Sequence, residues 1–266
     1  MKKLALLVLL CAAASVAAAQ DTALDFTQGW KTTVDLGYTC KYIWRGFDIL
    51  DDAGAFQPSV DFQHESGFGA NLWMSYPDRG GSTEMVDSRV DLTEFDYTVY
   101  YNGTAFEGSW ETNYSIGWRY YDLIRRSSRN ADAQEIFLEF EMPQLTGTPL
   151  IPHAGIYQYW PAHGGGDNSD VAGTFYLMGF SYLLPTEEQL PDVPLTFSWD
   201  IMYDDGAGAN NVDSDWSYML WGLKTEFDCP MTGGTITPYL YFQNSFERSV
   251  NTEDELWGGV TYSIAF

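Results

Sequence analysis

His64, His153 and His163 are the three histidines of this 266-residue chain, and acid–base or nucleophilic chemistry near neutral pH would draw on them first. A nucleophilic site needs a serine or cysteine against such a base and a third group that orients it. The sequence has no G-x-S-x-G elbow and no H-E-x-x-H zinc pair. His64 falls at the foot of a strand-like segment, His153 inside another, and His163 in a Gly-rich stretch. They read as surface or interface histidines. No catalytic set, metal site or cofactor is expected.

Charged residues at every second position suggest different chemistry. Asp35, Lys41, Asp61, Glu94, Asp96, Glu111, Arg119, Glu135, Glu139, Asp200 and Lys224 share the phase of the polar residues in their segments, as do Asn71, Asn113, Glu141, Tyr239 and Tyr241. Carboxylates gathered around an aqueous path favour cations. The same residues also suit a plugged interior, in which Lys41, Arg119 and Lys224 pair with carboxylates. Both readings stay open at this level.

Two further candidates are weaker. "DDGAGANNVDSD", Asp204 to Asp215, offers many oxygen ligands, but it lacks the EF-hand spacing and the bidentate Glu. It reads as solvated loop charge, with divalent bridges to lipopolysaccharide phosphates as the alternative. Arg45 follows Trp44 and has Asp48 close in sequence. A pairing with Asp48 is preferred over a lipid headgroup.

The elements that must position these residues are strands. Period-two alternation runs through the chain, with no sustained helical period. In Thr33 to Trp44, the residues Val34, Leu36, Tyr38, Cys40, Tyr42 and Trp44 oppose Thr33, Asp35, Gly37, Thr39 and Lys41. Twelve such segments are read: 32–44, 55–64, 67–76, 90–101, 106–121, 133–142, 150–160, 172–184, 194–203, 216–227, 235–243 and 255–266. Their connections alternate in kind. "ESG", "NGT", "PQLTGTP" and "DCPMTGG" are short, whereas "RGFDILDDAG", "PDRGGSTEMVDSR", "DLIRRSSRNAD", "PAHGGGDNSDV", "DDGAGANNVDSD" and "NSFERSVNTED" are long and polar. "PTEEQLPDV" is the one lengthy member of the short set. Asn-Gly in "NGT" is a strong hairpin signal.

An even strand number with short turns on one side and long loops on the other is the pattern of outer-membrane barrels. Strands of about ten residues match a tilted bilayer crossing. Lipid offers no hydrogen-bond partners, so the sheet has to close on itself. The expected fold is a closed antiparallel up-and-down transmembrane β-barrel of about twelve strands, residues 28–266. Val260, Tyr262, Ile264 and Phe266 would face lipid on the closing strand, and Trp44, Trp118, Trp199 and Phe266 would stand at the membrane interfaces. The rival fold, an exported soluble β-sandwich, gives no reason for two classes of loop.

Composition agrees with an exported barrel. Lys2 and Lys3, the apolar run Leu4 to Ala14, and the small residues before Gln20 form a secretory signal peptide over 1–19, cleaved after Ala19. Residues 20–27 then form a short N-terminal segment. Cleavage leaves 247 residues and moves the formal charge from −24 to −26, which disfavours nucleic acid. Cys40 and Cys229 remain, on opposite sides of the expected barrel, so no disulfide is expected between them.

One stretch carries a resemblance. Tyr42-Ile43-Trp44-Arg45-Gly46, Gln57-Pro58, Asp61, His64-Glu65-Ser66-Gly67-Phe68, Trp73 and Ser75, then "TEFDYTVYYNG" from Thr93, resemble a family of uncharacterised exported Gram-negative proteins predicted to be outer-membrane barrels. The resemblance covers the first third well, and Pro77 to Arg89 departs from it. It implies fold and location but no activity. The C-terminal Phe266 likewise resembles the signal read by barrel-assembly machinery. The expected partners are therefore the lipid bilayer, lipopolysaccharide, barrel-assembly machinery and small solutes, and the expected function is a porin-like passive channel. A non-conducting barrel that binds envelope partners is the alternative.

Overall fold

The computed structural model describes residues 28–78, 93–124, 131–163, 171–186 and 193–266. The signal peptide, the 20–27 segment and parts of four connections lie outside the described residues.

Alternating apolar and polar residues, rich in Tyr, Phe, Trp, Val and Thr, favour extended backbone. The described chain forms β1 (Trp30–Thr39), β2 (Ile43–Trp44), β3 (Phe47–Asp48), β4 (Ala55–His64), β5 (Phe68–Pro77), β6 (Glu94–Ala105), β7 (Thr112–Leu123) and β8 (Ala133–Glu141). It continues with β9 (Leu150–Pro161), β10 (Gly173–Leu184), β11 (Leu195–Asp205), β12 (Ser214–Thr225), β13 (Phe227–Cys229), β14 (Gly234–Ser245) and β15 (Glu255–Ala265). Consecutive wall strands pair antiparallel from β4 to β12. β12 pairs β14, β14 pairs β15, β15 pairs β1 and β1 pairs β4, so the ring closes. Twelve strands form the wall. β13 is a stub that pairs the start of β14, and β2 and β3 form a separate two-stranded hairpin.

The closing seam joins Thr33 with Ala265, Val34 with Ile264 and Leu36 with Tyr262. Phe266 extends it: its N–H donates to the Thr32 carbonyl (2.9 Å), and the Thr32 N–H donates back (3.2 Å). The terminal phenylalanine is thus a rung of the ladder.

The barrel is inside-out relative to a water-soluble one. Leu36, Val99, Ile136, Leu240 and Leu256 are 51–58% exposed, whereas Glu135 is fully buried. Each large aliphatic left in water forgoes about 1.5–3 kcal/mol. A continuous belt of them calls for an apolar solvent. The soluble sandwich is therefore the wrong fold for this face pattern.

Two boundaries differ from the sequence reading. The chain does not turn at "NGT": Asn102, Gly103 and Thr104 pair with Ser115, Tyr114 and Asn113 inside the β6–β7 ladder. A Cβ on Gly103 would lie 2.5 Å from the Tyr114 hydroxyl, so this glycine makes room for a ring. The reversal comes later, through Phe106 (φ 63°), Gly108 (φ 66°) and a short 3-10 turn over Gly108–Trp110. The first strand is also shorter than 32–44. It stops at Thr39, and the chain then leaves the wall.

Candidate functional site: the lumen and its inner hairpin

After Thr39 the last wall bond is Cys40 N–H to the Gly258 carbonyl, 2.9 Å. Residues 41–54 then fold into the barrel. Trp44 pairs Phe47 across a turn centred on Arg45 (φ 46°) and Gly46 (φ 94°). Positive φ at both central residues is the geometry of a tight hairpin turn whose twist matches strands. Gly46 meets that demand without strain, and Arg45 does not. The base is closed by Ile49 N–H to the Tyr42 carbonyl (3.0 Å) and by the Asp48 carboxylate, which accepts from Leu50 (3.2 Å) and Asp52 (2.8 Å) N–H groups.

Apolar packing seats this hairpin. Trp44 lies 5.5–5.7 Å, centroid to centroid, from Tyr121, Tyr159 and Phe175. Tyr42 packs on Trp73, and Leu50 and Ala53 are fully buried beside it. Polar contacts add register. The Gly46 carbonyl accepts from Gln243 Nε2 (3.0 Å) and Asn251 Nδ2 (3.3 Å). The Tyr42 hydroxyl donates to Glu94 Oε2 at 2.9 Å. Burial, with Glu94 beside it, pushes that phenol well above its usual range.

Arg45 stands at the hairpin tip. Its Nη2 approaches Glu135 Oε2 to 2.7 Å, and its guanidinium carbon sits 4.1 Å from the Tyr157 ring centre, 4.6 Å from Phe175 and 5.0 Å from Trp44. The approach to Glu135 is charge contact off the hydrogen-bond axis, and Nη1 has no hydrogen-bond partner among the described residues. Glu135 also accepts from Arg119 Nη1 (3.1 Å), and Arg119 Nε donates to Thr98 (3.1 Å).

At the hairpin's base, Asp48, Asp52 and Glu255 bring three carboxylates together. Lys41 stands among them, 2.7 Å from Glu255 and also paired with Asp52, so the chain supplies its own cation there. Burial raises the Asp48 carboxyl above its ordinary range.

The lumen also contains open space. A cavity of about 1020 Å³, at the end where β1 begins, is bordered by Lys31, Gln63, Glu139, Glu141 and His153 and ends inward on Tyr157. The Tyr157 hydroxyl donates to Glu139 (2.9 Å) while its ring supports Arg45. Tyr157 therefore touches both the cavity and the hairpin tip.

The residues read from sequence distribute as follows. By register, Asp35, Asp61, Glu94, Asp96, Arg119, Glu135, Glu139, Asp200 and Lys224 lie on the strand face opposite the apolar belt. Asp35 accepts from Ser59 (2.9 Å), and Asp61 accepts from Tyr100 (2.8 Å). His153 and Asp200 meet at 2.6 Å. Glu111 lies just before the start of β7, at the rim, and Lys224 approaches Glu226 at 3.9 Å. Lys41 sits beyond β1 in the carboxylate cluster. Trp118 and Trp199 face outward, with Trp118 Nε1 donating to Gln134 (3.0 Å) and Trp199 stacked on Phe180.

Four expectations need correction. Trp44 is not an interface aromatic; the Arg45–Gly46 turn carries it into the lumen. Arg45 does not pair with Asp48, whose oxygens cap backbone amides, but with Glu135. Tyr42 to Gly46 is hairpin rather than wall strand. In the acidic loop, Asp204 is buried and accepts from the Ala207 N–H (2.6 Å) instead of being solvated. Cys40 and Cys229 are both free thiols. His64 Nδ1 contacts Ser66 Oγ (2.7 Å) and also accepts the Ser66 N–H (3.1 Å), a turn-closing arrangement between β4 and β5.

Sequence reasoning missed the wall side of the hairpin seat: Tyr121, Tyr157, Tyr159, Phe175 and Gln243. A signal was present, since Tyr121 shares the phase of Arg119, and Tyr157 and Tyr159 that of His153. Rings on a polar face announce a filled interior.

No protein-family model matches the chain, and no curated protein matches it by sequence. Among solved structures the barrel is similar to the KdgM porin (13% identity, 87% of this chain, 99% of that one, TM-score 0.50) and the NanC porin (12%, 88%, 98%, 0.52). It is likewise similar to an outer-membrane channel from Pseudomonas putida F1 (9%, 93%, 98%, 0.51). At this identity the likeness concerns the fold.

Proposed function

We propose that this barrel is a porin-like passive channel for small solutes in the outer membrane, with a cation-leaning lumen. The observation that carries the reading is the placement of charge. A closed twelve-stranded ring turns a carboxylate-rich face inward, and an aqueous vestibule of about 1020 Å³ opens at one end. Buried carboxylates cost several kcal/mol unless they are paired or wetted. A merely structural barrel has no need of them. The porins and the channel named above share the architecture, which supports the same use. An enzyme is disfavoured, because the His64–Ser66 contact is accounted for by its turn and His153 is engaged with Asp200. The lipid bilayer, lipopolysaccharide and barrel-assembly machinery remain the partners of this reading. Membership of the family resembled by Tyr42 to Gly46 also belongs to it.

The inner hairpin favours a second reading, a non-conducting barrel, because Trp44 and Arg45 pack inside the lumen against Tyr121, Glu135, Tyr159 and Phe175. Reconstitution in planar bilayers separates the two. Discrete current steps with a reversal potential on the cation side support the channel. Absence of steps at every voltage, in wild type and in hairpin variants, leaves the non-conducting barrel.

A further inference from the structure

Arg45 is held by the barrel wall in the way a free guanidinium would be. Glu135 on β8 supplies the carboxylate, Tyr157 on β9 and Phe175 on β10 supply flanking rings, and these three wall residues are 0%, 8% and 0% exposed. Tyr159 braces the group, 6.1 Å from Phe175 and 5.7 Å from Tyr121. Carboxylate plus aromatic faces, out of water, is the composition that recognises organic cations. Trp44 and Arg45 alone of this cage belong to the hairpin.

The tethered arginine fits this cage imperfectly. Its backbone takes φ 46°, a region an L side chain adopts at a cost. Among the described residues Nη1 is left without a hydrogen-bond partner, and the contact with Glu135 is off axis. Desolvation offsets most of the attraction in a buried ion pair. A guanidinium arriving untethered is free of the backbone strain and can align both nitrogens on Glu135, the bidentate geometry that carboxylates favour.

We propose that the wall residues Glu135, Tyr157 and Phe175 form a binding site for solutes bearing a guanidinium or similar organic cation, and that Arg45 is its built-in occupant. Such a solute competes with Arg45 for the cage and releases the hairpin. This rests on the channel reading for the route of entry, whereas the site itself does not require conduction.

The test titrates purified Arg45→Ala protein with arginine and with citrulline, its uncharged isostere, by calorimetry. Arg119 stays on Glu135 in this variant, so the carboxylate is not orphaned. Arginine is expected to bind saturably, with citrulline about tenfold weaker or worse, and Glu135→Gln in the same background should remove that preference. Equal binding of the two, or no saturable arginine binding, overturns the proposal. If Arg45→Ala fails to fold, wild-type protein gives the answer by hydrogen exchange. Arginine, but not citrulline, should speed exchange of the amides from Trp44 to Asp48, and identical exchange with both overturns the proposal. Potassium chloride currents report separately on the channel. Currents without arginine preference sink only the site, and arginine preference without currents sinks only the channel.

Discussion

Arg45 and Glu135 meet 2.7 Å apart inside the barrel, one on the tip of an inward hairpin and the other on the wall. This pair joins the hairpin tip to the wall. Its strength is limited by burial, since both ions give up hydration to make it. The hairpin's seat is therefore mostly apolar, and the ion pair sets its register.

Loss of the arginine should loosen the hairpin. Arg45→Ala removes the guanidinium and its three ring contacts but leaves Glu135 paired with Arg119. The expected outcome is a folded barrel, destabilised by about 1–3 kcal/mol, with the hairpin more open to protease. Denaturant unfolding and limited proteolysis check it. Glu135→Gln should cost more, because it leaves the buried Arg45 and the half-buried Arg119 without their shared carboxylate.

Gly46 is a second lever. At φ 94°, with a Cβ position 2.6 Å from the Tyr218 ring, it has no room for a side chain. Gly46→Ala should undock the hairpin while the wall persists. Faster amide exchange confined to residues 41–54, with unchanged exchange in β1 and β15, is the expected result.

Acidity should favour docking. Burial raises the Asp48 carboxyl in the docked hairpin, with Glu255 and Asp52 adding to the rise and the Leu50 and Asp52 amides opposing it; Lys41 completes the charged surroundings. The docked form therefore binds the proton more tightly than the undocked form. Its contribution to docking is complete below the ordinary carboxylate range and is lost as pH rises through the raised value. Hairpin protection factors, taken against the intrinsic exchange rate at each pH, should rise on acidification from neutral pH, and Asp48→Asn should flatten that rise.

The apolar belt makes a prediction about folding in lipid. Leu240, opposite Gly258, and Leu256, opposite Phe242, lie diagonally across β14 and β15 on the outward face, 51% and 57% exposed. Leu240→Arg should destabilise the barrel in phospholipid vesicles by about 2–4 kcal/mol if it lies near the bilayer midplane. Leu240→Ala should cost less. In a water-facing sheet the arginine would be nearly neutral.

The wall was legible because alternation at period two is a local property. The strands from Ala55 to His64, Ala133 to Glu141 and Leu150 to Pro161 follow from it almost to the residue. The common strand face of Asp35, Asp61, Glu94, Asp96, Arg119, Glu135, Glu139, Asp200 and Lys224 follows from the same phase, whereas Lys41 and Glu111 lie outside the wall strands. The hairpin was not legible, since Tyr42, Trp44 and Arg45 keep the alternation of β1 while the backbone reverses at Arg45–Gly46. Arginine is a poor advertisement for a positive φ, and the strain is met by contacts with Glu135, Tyr157 and Phe175 that lie far away in sequence. At Gly103 the error ran the other way: a strong turn dipeptide was overridden by the space a tyrosine ring requires.

Single-channel recording that compares wild type with Arg45→Ala, in the same bilayer and salt, bears most directly on the account. A lumen closed by a removable hairpin predicts larger or more frequent cation-selective steps from the variant. Silent records from a variant shown to be folded would contradict it.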